Sequence, residues 1–198
     1  MENQKIYLDF NASTPVAPEV AEAMRPFLSQ HFGNPSSHHW AGVPAKQAVE
    51  HARQQVAELL QCSPGEIVFT SGGSESNNHA IKGVFFALRD KGNHIITTQT
   101  EHPAVINPCR FLEKLGAEVT YVPVDQYGRV DPQNIKKAIT GKTILITVMH
   151  ANNEVGTIQP IEEIISQGNR AWSSTRMQPN LWGRLLQQLM IWGCIYCP

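Results

Sequence analysis

Between residues 66 and 149, short apolar runs rich in β-branched residues alternate with longer stretches of helical periodicity. That alternation constrains the fold more than any other feature, because strands separated by helices form a mostly parallel sheet covered on both faces. The pattern predicts strands over 66–70, 95–98, 119–122 and 143–149, the last apolar enough to be buried on both sides. Helices are expected over 75–88, 104–115 and 132–139. Gly116 closes the second, and Asp131 and Pro132 cap and start the third. Ahead of this unit, 18–28 reads as a helix with Val20, Ala23, Met24 and Phe27 on one face. After a loop at 33–37, a second helix from about Ala45 aligns Val49, Ala52, Val56 and Leu59, and is broken at Ser63-Pro64-Gly65.

Composition narrows the function classes. With 16 Lys+Arg against 17 Asp+Glu, the formal charge is -1 and no basic run stands out, so no nucleic-acid partner is expected. No apolar stretch reaches the ~20 residues of a membrane span. The first residues lack the apolar region of a secretory signal, so a soluble cytoplasmic protein is expected. Cys62, Cys109, Cys194 and Cys197 form no disulfide framework. The Cys194-x-x-Cys197 pair has no second pair to complete a zinc site, and no metal is expected. Cys109, among Ile106, Phe111 and Leu112, reads as a small buried hydrophobe.

Three polar clusters sit where predicted strands end. In 69–78 a strand runs into Gly72, Gly73 and Ser74 and then a helix. Glycines let a backbone approach an anion, and a helix N-terminus offers unpaired N–H groups and a positive dipole end, so this turn suits a phosphate. The alternative is a tight turn in which Ser74 only caps the helix. In 98–104, His102 lies at the carboxyl edge where open α/β sheets bind ligands. Its imidazole can stack on a flat ring or move protons, or simply make local hydrogen bonds at a helix start. In 149–156, two amides, a carboxylate and a glycine follow a buried strand, either as part of a site or as a polar turn. Three such clusters at one sheet edge suggest a single site.

Five segments in order carry a resemblance: 7–15, 32–37, 70–78, 100–102 and 150–156. Over roughly 6–165 the chain resembles the cysteine desulfurases, the class V branch of the pyridoxal-phosphate transferases. Selenocysteine lyases share much of the pattern and are the alternative parent. The resemblance implies an incomplete large domain of fold type I, with the first residues belonging partly to a small domain. It implies that Gly73 and Ser74 bind the phosphate of pyridoxal 5'-phosphate. It also implies that His102 stacks on the ring and transfers protons, and that Asn153 contacts the ring's phenolic oxygen and holds substrate. Asn34 and the 11–14 segment would lie near the substrate or a dimer contact. The activity implied is removal of sulfur from L-cysteine, giving L-alanine and an enzyme persulfide. That sulfur would pass to an acceptor or scaffold protein in iron-sulfur cluster assembly, from a homodimer.

The chain also departs from the family. The Schiff-base lysine of the family follows a histidine in a Ser-x-x-x-His-Lys segment, and no His-Lys pair occurs here. The aspartate of a His-x-Asp-Ala-x-Gln segment and the loop with the nucleophilic cysteine are absent too. From Ile164 to Pro198 there is no Asp, Glu or Lys, and Trp172, Trp182 and Trp192 fall there. Codons compatible with this tail, read one nucleotide back, can give Val-Phe-His-Thr-Asp-Ala-Ala-Gln-Ser-Leu-Gly, the missing family strand. Residues 1–165 therefore read as the N-terminal part of the transferase domain, and 166–198 as an out-of-frame tail after a slip between about Ile165 and Trp172. The chain itself is expected to be inactive, either as a remnant or as a non-catalytic module docking on the full-length enzyme.

Overall fold

Strand β1 (His94–Thr98) is buried at all five positions and forms the middle of a parallel three-stranded sheet in the order β2-β1-β3. β2 is Glu118–Val122 and β3 is Thr143–Ile146. The computed structural model describes residues 5–10 and 12–172, with 167–172 as backbone only. The chain divides into two units, Met1–Phe69 and Thr70–Pro198, and the sheet belongs to the second.

The pleat of β1 sends alternate side chains to opposite faces, and two apolar clusters follow from it. Ile95 packs with Ile81 and Phe85 of α3 (Gly73–Ala87) and with Val105, Cys109 and Leu112 of α4 (Pro103–Glu113). Ile96 packs on the other side with Ile135 of α5 (Pro132–Ala138) and Ile164 of α6 (Ile161–Trp172). Each fully buried side chain of this size contributes about 1.5–3 kcal/mol. The parallel α/β layering expected from the sequence is the observed architecture.

Parallel pairing places the carboxyl ends of all three strands at one edge. The opposite edge is fastened by His94, whose ring nitrogens bond Thr143 Oγ1 at 2.7 Å and Thr120 Oγ1 at 2.8 Å. Burial holds its imidazole below the ordinary value. Asp131 caps α5 as its position predicts, accepting from the Gln133 amide at 2.8 Å.

In the first unit, α1 (Pro18–Ser29) and α2 (Val43–Leu59) form where periodicity places them. Their expected apolar faces do not become core. Val20, Met24 and Phe27 of α1 are exposed, and α2 buries Ala45 and Ala57 rather than Val49 or Leu59. Helical spacing fixes which residues share a stripe, but burial needs an element to cover it. Among the described residues, the main packing partner of α2 within this unit is the 3-10 turn Pro64–Glu66. That turn is a capping box in which Glu66 accepts from the Ser63 amide and hydroxyl, both at 2.8 Å.

The strand expected over 66–70 is not formed. Ile67 is extended (φ -89°, ψ 128°), but among the described residues no strand pairs with it, and its carbonyl accepts from the Arg53 guanidinium instead. The tail boundary expected at residue 166 falls inside α6, whose helical backbone continues to Trp172. Cys194, Cys197, Trp182, Trp192 and the rest of the expected out-of-frame segment lie outside the described residues, as does Asn11.

Candidate functional site

At the carboxyl edge of the sheet, α3 and α4 flank a cavity of about 410 Å³, within the ~300–1,000 Å³ usual for small-molecule sites. Ser74, Asn78 and Lys82 of α3 line one wall. Their spacing of four residues stacks them along one helix face. His102, Asn107 and Phe111 line the other. Lys82 Nζ sits 4.6 Å from the Phe111 ring centroid, joining the two walls at the end away from Ser74.

Ser74 is the second residue of α3, and no side chain caps this helix. The Ser74 hydroxyl has no hydrogen-bond partner among the described residues; only its carbonyl is engaged, by Asn78 Nδ2 at 2.9 Å. The capping role that was one reading of Ser74 is therefore not the one it plays. The turn is tied by its neighbours. Glu75 reaches back to the Ser71 amide and hydroxyl, both at 2.6 Å, and Thr70 Oγ1 meets Ser76 Oγ at 2.6 Å. The Ser71 bonds hold the Glu75 carboxyl below its ordinary value. The first N–H groups of α3 have no intrahelical acceptors. Beside them stands an uncommitted hydroxyl, so this end of the cavity offers donors to an anion.

His102 is the N-cap of α4, with an extended backbone (φ -60°, ψ 147°). Its Nδ1 accepts from the Ala104 amide at 3.0 Å. The local hydrogen bond and the place on the cavity wall are thus both observed. In α4, Pro108 has no N–H to give to the carbonyl of Ala104, four residues earlier; both residues line the cavity.

The third cluster is organised by Asn152, which is 8% exposed. Its Oδ1 accepts from the Glu154 and Val155 amides, both at 2.9 Å, and its Nδ2 donates to the Thr100 carbonyl at 3.0 Å. Gly156 turns the loop with φ +72°, a conformation glycine adopts without strain. Asn153 follows, half-buried, with Nδ2 donating to Glu154 Oε1 at 3.2 Å. It is not among the residues that line the cavity.

Of the residues singled out from the sequence, Ser74 and His102 share the cavity, and Gly73 precedes Ser74 as the first residue of α3. Asn34 belongs to the first unit, where its Oδ1 accepts from the Ser36 amide at 2.9 Å. The model of the aminotransferase class-V family matches residues 6–172.

The chain belongs to the class-V aminotransferase family.

Within it, the chain is 58% identical over 161 residues to a cysteine desulfurase IscS of Dictyoglomus turgidum, covering 81% of this chain and 41% of that protein. It is 52% identical over 176 residues to a cysteine desulfurase IscS of Methanosarcina thermophila, covering 88% and 44%. Among solved structures it superposes on a NifS-like protein with a TM-score of 0.83 at 40% identity, covering 87% of this chain and 47% of that one. A structure described as SspA in complex with cysteine gives 0.79 at 45% identity, covering 83% and 48%. The fold is thus an incomplete form of the α/β fold of these desulfurases, and the chain spans less than half the length of these relatives.

Two residues of the site escaped the sequence reading as separate participants, Glu101 and Asn152. Glu101 is 8% exposed, and its Oε1 accepts from Thr98 Oγ1 at 3.0 Å and from the Met149 amide at 2.7 Å. Burial pushes its carboxyl up to about 7 against the pull of those two bonds. The signal available was an acid directly before a helix cap at the end of a buried strand.

Proposed function

We propose that Gly73, Ser74 and His102 form the phosphate-gripping and ring-facing part of a pyridoxal 5'-phosphate site. The parent activity we propose is that of a cysteine desulfurase, which takes sulfur from L-cysteine and leaves L-alanine. The observation that carries this is the meeting of an uncommitted Ser74 hydroxyl on the first turn of α3 with the His102 ring in one cavity.

The residues present fit the cofactor's chemistry. The anionic end is served by the open N–H groups of the first turn of α3 and the Ser74 hydroxyl, with the one nearby carboxylate, Glu75, turned back to Ser71. The flat ring is served by His102. Because Nδ1 accepts from the Ala104 amide, the ring in its neutral form carries its N–H on Nε2, which leaves that N–H as the donor. When bound, the cofactor supplies the electron sink, and the protein orients it and moves protons. Asn153 and Asn34 are proposed to contact substrate. A homodimer, a sulfur acceptor or scaffold protein, iron-sulfur cluster assembly and a cytoplasmic setting follow from the resemblance. Among the described residues no helix is long and apolar enough to cross a membrane.

The 198-residue chain alone is proposed to turn over no L-cysteine. None of its lysines follows a histidine as the family's anchoring lysine does, and none of its cysteines stands in the family's nucleophile loop. Lys82 does line the cavity, but it lies two helical turns from Ser74 with its ammonium over Phe111. The test is binding of pyridoxal 5'-phosphate, with sulfide release from L-cysteine measured alongside. The proposal requires binding that inorganic phosphate competes away, with no sulfide above the level of free cofactor.

A further inference from the structure

Two loops at the carboxyl edge of the sheet are held together by two side chains, one reaching across from each loop. From the turn after β1, Glu101 reaches across to accept the Met149 amide at 2.7 Å, a residue 48 positions later. From the loop after β3, Asn152 reaches back to donate to the Thr100 carbonyl at 3.0 Å, across 52 positions. Each bond is anchored on its own side. Glu101 Oε1 also accepts from Thr98 Oγ1, and Asn152 Oδ1 also accepts from the Glu154 and Val155 amides. Both side chains are buried to the same degree, 8% exposed. The residue after each of them is one that the proposed site uses: His102 after Glu101, and Asn153 after Asn152.

We propose that Glu101 and Asn152 are positioning residues, a reciprocal clasp that fixes His102 and the 150–156 loop relative to one another. The proposal rests on the cofactor reading of His102 and deepens it. Two bonds resist rotation of one turn against the other, whereas one would leave a hinge. Backbone packing alone does not demand a carboxylate here. An ionisable group kept out of water is costly, and it persists where its bonds set a geometry. Both bonds to Glu101 fall on the same oxygen, Oε1. The clasp therefore needs an acceptor oxygen at that point rather than a charge, and a glutamine supplies one.

The test uses the full chain and its Glu101→Gln, Glu101→Ala and Asn152→Ala variants, with Ile135→Val as a control. That control lowers stability from the cluster on the α5 side of the sheet without touching the clasp. Three quantities are read: hydrogen exchange at the Met149, Glu154 and Val155 amides, the ring resonances of His102, and the dissociation constant for pyridoxal 5'-phosphate. In Glu101→Ala and Asn152→Ala the amides exchange about tenfold faster or more, the His102 resonances shift, and the cofactor binds about tenfold more weakly or worse. Glu101→Gln restores all three to within about twofold, and Ile135→Val leaves the ring and the affinity unchanged. Unmoved His102 resonances in both alanine variants overturn the clasp, as does a Glu101→Gln variant as impaired as Glu101→Ala. If the unsubstituted chain fails to bind the cofactor, the cofactor reading falls, and the clasp is then decided by the ring resonances and amide exchange.

Discussion

His102 Nδ1 accepts a hydrogen bond from the Ala104 amide at 3.0 Å, so the residue that starts a helix is also one that lines the cavity. The two duties separate by substitution. Asparagine is a good N-cap, so His102→Asn should keep the stability of the parent, while His102→Ala should lose about 1 kcal/mol. Both variants lack the ring, and both should bind pyridoxal 5'-phosphate more weakly. Denaturant unfolding alongside a cofactor titration checks this. Equal affinity in His102→Asn and the parent would remove the ring from the site.

Ser74 gives a cleaner separation, because its hydroxyl contributes no bond to the fold among the described residues. Ser74→Ala should leave the unfolding midpoint unchanged and weaken pyridoxal 5'-phosphate by about tenfold, the size of a hydrogen bond to a charged group. Inorganic phosphate as competitor should lose affinity in parallel. The check is a pair of titrations on parent and variant.

Glu101 predicts a pH dependence whose sign follows from burial. Its carboxyl titrates at about 7 in the folded chain and near ~4.3 when the chain is unfolded. Between those values the folded state holds a proton that the unfolded state has released. The stability from this group is complete below the unfolded value and is lost as pH rises through 7. Glu101→Gln does not ionise, so its stability relative to the parent should rise by about 2 kcal/mol from pH 5 to pH 8. The Cys109 thiol, pushed up to about 12 by burial and by Glu101, stays neutral throughout. Urea unfolding at the two pH values measures the difference, and a flat difference contradicts the buried-acid assignment.

The tail yields a prediction outside the protein. We propose that 166–198 is out-of-frame translation. The encoding DNA, read one nucleotide back after about Ile165, should then continue through His-Thr-Asp-Ala-Ala-Gln to a His-Lys segment. A neighbouring frame that is blocked or unrelated would make the Trp-rich tail a native element.

The sheet unit was legible because short β-branched runs alternate with helical periodicity: β1 is buried at all five positions and β3 at its first three, while β2, with Glu118 exposed, followed from the alternation itself. Asp131 and Pro132 declared the start of α5 in the same local way. The 66–70 run misled because a strand is a relation between two segments. Ile67 has the extended backbone, but among the described residues it has no neighbouring strand. The faces of α1 and α2 misled for a related reason, since periodicity names a stripe and not its cover. At the site, His102 could be found because it stands at a strand-to-helix junction, and the Gly73-Ser74 turn because paired glycines and a hydroxyl open a helix after an apolar run. Glu101 and Asn152 could not be told from ordinary loop polarity, since their bonds span 48 and 52 residues and leave no local pattern.

The most direct test of the central claim compares pyridoxal 5'-phosphate with pyridoxal, which lacks the phosphate, for binding to the purified chain. The site described here predicts that the phosphorylated form binds about tenfold more tightly or better, and that Ser74→Ala removes the preference. Equal binding of the two forms, or a preference that survives Ser74→Ala, would contradict a phosphate grip at the start of α3.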